Sequence, residues 1–296
     1  MKPPPFEYLA PESLPEALEI LAANGDDAKV LAGGQSLVPA MNFRLVEPGL
    51  LVDLNGLSEL SYVSEEASRE IRIGAMTRQR VIEMDSLIEG AIPLLHETMP
   101  NIAHAQIRNR GTIGGSLVHA DPAAELPLIM VALNGRFKMR RSAGERWVAA
   151  SDFYQGIFAT DLEDDEILVE VGIPPLNANS GTCFLEFARR KGDYALLGVA
   201  VILTLDGAGI CSDARLVYLN AGDVPMVAAD AAAILVGELP SPIVFEEAAS
   251  HAVEHEIAPM GDIHASVPYL NHLARVLTLR ALNQAFNRAM LVQGKY

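Results

Sequence analysis

Two glycine pairs in polar surroundings constrain this chain most: "LAGGQSL" at 31–37 and "RGTIGGSLVHADPAAELP" at 110–127. Adjacent glycines let the backbone take φ > 0 and let another group approach with no Cβ in the way. Their N–H groups can then form a nest that cradles an anion such as a diphosphate. Either stretch taken singly also reads as an ordinary tight turn. Neither is a G-x-G-x-x-G fingerprint or a G-x-x-x-x-G-K-[ST] loop, so a phosphate here is held without a Walker lysine.

The second stretch carries more chemistry. Thr112, Ser116 and His119 supply neutral hydrogen-bonding groups, while Asp121 and Glu125 supply carboxylates close to backbone amides. A carboxylate so placed accepts from ribose or ribityl hydroxyls, or caps the helix that "DPAAELP" begins; for Asp121 the two readings stand even. Glu125 lies four residues further on, a spacing that can put it on one helical face with Asp121. No third group positions a substrate, so the pair reads as binding rather than catalytic.

Around these stretches the pattern is mixed. "PESLPEALEILAANG" is a helix with Ser13 and Glu16 as a capping box and Gly25 at its end. "AKVLAGG", "LLVDL" and "EIRIGAM" read as strands, and helical stretches follow Thr77 (with Val81, Ile82 and Met84 apolar) and over 93–107. "ELPLIMVALNG" is helix or strand, which periodicity alone leaves open. "RFKMRR", "RWVAASDF" and "EILVEVGIP" are strand-like. Pro and Asn in "IPPLNANSG" at 173–181 mark the best boundary. Beyond it come three strands spaced as an antiparallel meander, then helical runs around 226–236, 242–257 and 267–291. The fold class is α+β.

Composition narrows the function. A formal net charge of −16 argues against a nucleic-acid surface, which needs a basic face. Basic runs at 136–146 and at Arg189-Arg190-Lys191 suit a small anionic ligand, although the first either meets an acidic partner or balances local charge. The longest apolar run, "ALLGVAVILTL", is too short to span a bilayer. With no leader-like start and two cysteines, Cys183 and Cys211, that match no disulfide or metal spacing, a cytoplasmic protein without membrane insertion is expected.

"LAGGQSL" followed about eighty residues later by "RGTIGGSLVHADPAAELP" resembles the FAD-binding (medium) subunit of the molybdenum hydroxylases, the carbon monoxide and xanthine dehydrogenase group. "FEYLAPESLPEAL", "LVDL", "IRIGAMT" and "RRKGDYA" extend the resemblance over nearly the whole chain. It implies a two-lobed FAD-binding domain of the vanillyl-alcohol-oxidase type over 1–176, with lobes of about 1–57 and 58–176. A smaller domain of antiparallel strands plus helices follows over 177–296. It implies that Lys29, Val30, Leu31, Ala32, Gly33, Gly34, Gln35, Ser36 and Leu37 wrap the diphosphate, and that Ile102, Ala103 and Ile107 lie along the cofactor. Gly111, Thr112, Gly114, Gly115 and Ser116 complete the cradle, with His119 and Asp121 in the same loop and Glu125 toward the adenosine end. Relatives with a "GGN" motif carry Asn where this chain has Ser116. Leu168 packs near the ring system, and Lys191, Asp193 and Tyr194 close the site from the second domain, Lys191 near the pyrimidine end.

The implied function is electron transfer through FAD, with no catalytic residue and no metal on this chain. Its implied partners are an iron–sulfur small subunit and a molybdenum-cofactor large subunit, in a dimer of heterotrimers that passes electrons to an external acceptor. Two cysteines cannot hold an iron–sulfur cluster, which wants four thiolates. The alternatives are a stand-alone flavin oxidoreductase acting directly on a small substrate, and a nucleotide-binding module without turnover. His251 and His255 have the i, i+4 spacing of a zinc pair, but no third ligand is evident and an exposed helix face is the expectation. The acidic run "DLEDDE" at 161–166 is expected to be a solvated loop.

Overall fold

Short apolar strands separated by helices build the first part of the chain as two sheets that share a core. In the computed structural model, which describes residues 2–294, β1 (Glu7–Leu9), β2 (Ala28–Leu31) and β3 (Leu50–Asp53) form a parallel sheet in the order β1-β3-β2. Parallel neighbours need a crossover, and the helix Leu14–Asn24 lies between β1 and β2, burying Leu14, Ala17, Leu18 and Leu21. Ser13 caps it, but the Glu16 carboxylate accepts the Glu12 amide at 2.8 Å, one residue outside the expected capping box.

The second sheet is antiparallel. It contains β4 (Val63–Glu65), β5 (Ile71–Gly74), β6 (Arg136–Arg141) and β7 (Gly144–Ala149). After the small hairpin of β8 (Tyr154–Gly156) and β9 (Ala159–Thr160) comes its central strand, β10 (Ile167–Ile173), in the order β4-β5-β10-β6-β7. Strand β10 is buried on both faces. Ile167 and Val169 join the core of the first sheet, while Leu168, Val171 and Ile173 join a larger core under the helices. The ambiguous "ELPLIMVALNG" is the helix Glu125–Ala132, buried at every position.

The remaining strands make the expected meander: β11 (Ser180–Ala188), β12 (Ala195–Leu205), β13 (Cys211–Leu219) and the short β14 (Met226–Val227). The helix Val267–Val292 packs on β11 and β12, burying Ala274, Ala281, Ala285 and Ala289 along its length. Glu97 ties this layer to the first part by accepting the Phe184 amide at 2.8 Å and Arg288 at 2.6 Å.

Several local expectations change. "RWVAASDF" is strand only to Ala149; Ala150–Phe153 turn helical, which buries Ala150 and Phe153. Val81 and Met84 are exposed, leaving Ile82 as the buried residue of its short helix. The acidic run is only partly solvated, because Glu166 is buried against Arg146 at 2.7–2.8 Å and Asp161 meets the same guanidinium at 2.6 Å. Arg136, Lys138 and Arg146 of the basic stretch pair with carboxylates of this chain, while Arg140 and Arg141 are exposed. Among the described residues, no helix is long and apolar enough to cross a membrane.

Candidate cofactor-binding site

Strand β2 ends at Leu31 and the chain turns at once into Gly33-Gly34, with φ 71° at Gly34. The Gln35 side chain donates back to the Gly33 carbonyl at 2.9 Å and holds the turn. Gly33 lies directly on the other glycine-rich segment: a Cβ there would stand 2.6 Å from the Arg110 carbonyl oxygen and 2.8 Å from the Gly111 Cα. The two stretches, distant in sequence, therefore touch backbone to backbone. The amides of Gly33, Gly34, Gln35 and Ser36 donate to no protein acceptor among the described residues. Successive free donors around a positive-φ residue make an anion nest.

Side chains that sequence reasoning did not single out bolt this arrangement together. Arg78 donates to the Arg110 carbonyl and, at 2.6 Å, to Asn55 Oδ1. Asn55 Nδ2 donates to the Ala32 carbonyl at 2.9 Å and to Asp53 Oδ1 at 2.5 Å, and Asp53 accepts the Tyr8 hydroxyl at 2.5 Å. The available signal was "LVDLNG", a strand closing on polar residues. The parallel pairing of β2 with β3 puts both carboxyl ends side by side, where ligands of such sheets gather.

The second glycine pair corrects its expectation. Gly114 and Gly115 are not in a loop; they form the first turn of the helix Ile113–His119. Thr112 caps it by accepting the Gly115 amide at 3.1 Å. The amides of Ile113, Gly114 and Ser116 go to the carbonyls of Thr77, Ala75 and Thr112. No nest remains there. Gly114 answers a close approach instead, since a Cβ would come within 2.7 Å of the Ala75 Cβ. Gly115 faces Ala32, and Ser116 is half-buried beside it.

Past a left-handed turn at Ala120, Asp121 accepts the Ala123 amide at 2.9 Å and so caps a turn rather than a helix. The helix begins only at Glu125, so the two carboxylates do not share a helical face. Glu125 is 7 % exposed. Burial pushes its carboxyl up to about 7, its own amide working against this and the charge of Asp121 adding to it. Glu186 of β11, absent from the sequence-based set, is pushed to about 8 by burial and by Glu125, and its Oε2 is buried without a hydrogen-bond partner. A glutamate on a strand gives no sequence signal beyond a solvated face. Tyr194 is exposed, and its hydroxyl is raised by partial burial, then by the charges of Asp121, Glu125 and Asp193. Burial lowers His119, whose ring sits 5.0 Å from that of Phe158.

The other expected positions fall as follows. Val30 and Leu31 end β2, with Lys29 exposed on it, and Leu37 opens the next helix. Ile102 is buried; Ala103 takes φ 43° and its carbonyl seats the turn at Gly192. The Ile107 carbonyl accepts the Gly111 amide at 2.7 Å. Leu168 is buried in the larger core. Lys191 is exposed, and Asp193 pairs with Arg189 at 3.2 Å. The rings of His251 and His255 stand 4.7 Å apart, and no three His, Cys, Asp or Glu among the described residues are grouped to hold a metal.

Glu125 has a measurable consequence. Its folded carboxyl titrates near 7 against about 4.5 unfolded, so the folded chain binds more protons between those values and loses stability as pH rises through them. The hypothesis is that Glu125→Gln removes this loss, stabilising the chain without ligand by about 2–3 kcal/mol at pH 8 and leaving it unchanged at pH 4. Melting curves at both pH values decide it; an equal effect at both would sink the assignment.

Residues 4–176 match the family model described as the FAD binding domain in molybdopterin dehydrogenase. Residues 182–285 match the CO dehydrogenase flavoprotein C-terminal domain. The chain is 42 % identical to the 6-hydroxypseudooxynicotine dehydrogenase complex subunit alpha of Paenarthrobacter nicotinovorans, over 98 % of this chain and 97 % of that one. It is 36 % identical to the carbon monoxide dehydrogenase medium chain of Afipia carboxidovorans, covering 98 % and 99 %. The solved structure of quinoline 2-oxidoreductase from Pseudomonas putida 86 superposes with a TM-score of 0.93 at 41 % identity, covering 98 % of this chain and all of that one. The nest at Gly33–Ser36 thus lies inside a known FAD-binding domain, and the chain belongs to the FAD-binding medium subunits of the molybdenum hydroxylases, the family of carbon monoxide and xanthine dehydrogenases.

Proposed function

We propose that this chain is the electron-transfer subunit of a three-part hydroxylase. Substrate is oxidised at a molybdenum cofactor on a large partner, iron–sulfur clusters on a small partner relay the electrons, and this chain delivers them to an external acceptor. The observation that carries the reading is the run of free amides at Gly33–Ser36 lying on Arg110-Gly111.

FAD fits these residues. A diphosphate asks for several aligned donors on a backbone that no Cβ crowds, and the Gly33–Ser36 turn offers four. Sugar and ribityl hydroxyls ask for acceptors, which Asp121 and Glu125 offer. Bound FAD supplies one- and two-electron exchange; the protein supplies binding, orientation and electrostatics. On this reading Lys29 to Leu37 hold the diphosphate. Gly111, Thr112, Gly114, Gly115 and Ser116 form the opposite wall through shape and hydroxyls rather than through the amides of Gly114 and Gly115. Ile102, Ala103, Ile107 and Leu168 lie along the cofactor, with His119, Asp121 and Glu125 beyond them, and Lys191, Asp193 and Tyr194 close the site.

Residues 1–176 are the FAD-binding unit and 177–296 a second domain that supplies the closing turn. The working form is a cytoplasmic dimer of heterotrimers, in keeping with two buried, free thiols at Cys183 and Cys211. The names of the relatives, a "complex subunit" and a "medium chain", support an assembly of several chains. The test is to purify the tagged full chain from its native host. FAD on this chain, with iron and acid-labile sulfide on one co-purifying subunit and molybdenum on another, is the expected result. A lone FAD-loaded chain that oxidises a small substrate by itself would overturn it in favour of a stand-alone oxidoreductase.

A further inference from the structure

The segment that follows the nest leaves apolar side chains in water. The Val38 amide donates to the Gly34 carbonyl at 3.2 Å, and Val38 Cγ2 lies 3.4 Å from where a Gly34 Cβ would stand. The short helix Leu37–Asn42 buries only Met41. At Arg44 the chain takes φ 57°, in the left-handed region, and folds back so that the Leu45 amide reaches the Ala40 carbonyl at 3.0 Å. The reversal leaves Phe43 66 % exposed and Leu45 77 % exposed, and Val38 and Val46 are exposed as well. A left-handed arginine costs about 1–2 kcal/mol, and side chains this exposed return little of it by burial. Successive apolar side chains turned outward mark a surface that another molecule covers.

The charge here is the reverse of the whole. Residues 28–46 and 98–120, the two segments that meet at Gly33 and Arg110, contain no Asp or Glu, in a chain with 38 acids and a net charge of −16. Their cations are Lys29, Arg44, Arg108 and Arg110. Glu83 holds Arg108, but Lys29, Arg44 and Arg110 are exposed and pair with no carboxylate among the described residues. The acid bonded into this region, Asp53, is taken up by Tyr8 and Asn55. Apolar residues with free cations, on an otherwise acidic chain, select a partner whose own face is apolar and acidic. A thiolate-ligated iron–sulfur cluster brings negative charge to the protein that carries it. On the function proposed above electrons enter at FAD, so the partner that delivers them docks beside the nest, where this face lies.

We propose that the face formed by Phe43, Arg44, Leu45 and Val46 is the docking surface for the iron–sulfur subunit. Phe43 and Leu45 fill an apolar pocket of that partner, and Arg44 pairs with one of its carboxylates. This rests on the reading that the chain takes its electrons from an iron–sulfur partner at the FAD.

The test uses the full chain, natural and variant, loaded with FAD and immobilised. The iron–sulfur subunit, identified by its iron and acid-labile sulfide, is released from the natural complex and titrated onto each. Phe43→Asp combined with Leu45→Asp is expected to weaken its binding by about tenfold or more. Both side chains are exposed, so FAD affinity stays within about twofold of the natural value. Arg44→Glu weakens binding about threefold at about 50 mM salt, and the loss shrinks at about 300 mM, where the charge is screened. Ile243→Asp, at an 80 % exposed residue of the second domain, is the control and binds the iron–sulfur subunit as the natural chain does. A smaller loss in the double variant, an equal loss in the control, or a larger change in FAD affinity overturns the proposal. Loss of the molybdenum-bearing subunit or of a second copy, with iron–sulfur binding intact, also overturns it and assigns the face to that occupant. Absence of any iron–sulfur subunit from the natural complex overturns the proposed function itself.

Discussion

Gly33→Ala is expected to weaken FAD binding by about tenfold or more, the largest effect of a single added methyl at the site. The new Cβ would lie 2.6 Å from the Arg110 carbonyl oxygen and 2.8 Å from the Gly111 Cα, both backbone atoms that no rotamer change can move aside. The two glycine-rich segments must part, and each is pinned: Arg78 holds Arg110, and Asn55 holds the Ala32 carbonyl. Overpacking of this kind costs about 1–3 kcal/mol. The larger penalty falls on the ligand, because the four free amides of Gly33–Ser36 are aimed by the same contact. Gly90→Ala is the control, since a Cβ there meets nothing within 4 Å. Fluorescence titration with FAD and a melting curve for each variant decide the matter. If Gly33→Ala binds FAD within about twofold of the natural chain, the two segments do not form the cradle.

What could be read from sequence follows from how local each signal is. The helix at 14–24 and the meander after 180 were legible because capping residues, period and turns all lie within the element itself. The nest at Gly33-Gly34 was legible for the same reason. The second pair misled, because a glycine serves a positive φ and a close approach equally well, and only Ala75, thirty-nine residues upstream of Gly114, reveals which. Asp121 at a Pro resembles a helix cap, yet the helix waits until Glu125. Asn55 and Arg78 were illegible for a different reason. Each acts by meeting a residue at least twenty-three positions away, and one sequence carries no record of such pairings.

Gly181→Ala is expected to be the most destabilising of these changes, at about 3 kcal/mol or more, lowering the melting temperature by roughly 6–12 °C. Gly181 sits near the start of β11, opposite Leu203 of β12, under the C-terminal half of the helix Val267–Val292. That helix lies low on the sheet because its buried face there is alanine, at 281, 285 and 289. A Cβ at 181 would run into the Ala285 carbonyl oxygen and the Ala289 amide nitrogen, well inside van der Waals contact. Both are main-chain atoms, so Ala285→Gly is not expected to rescue the variant, whereas relief of a side-chain clash would be rescued. Lifting the helix also withdraws Arg288 from Glu97 and from the Thr182 carbonyl, and with it the tie that seats β11 on the first part of the chain. A melting temperature within a degree of the natural chain, or recovery on Ala285→Gly, would show that the helix does not rest on the strand at Gly181.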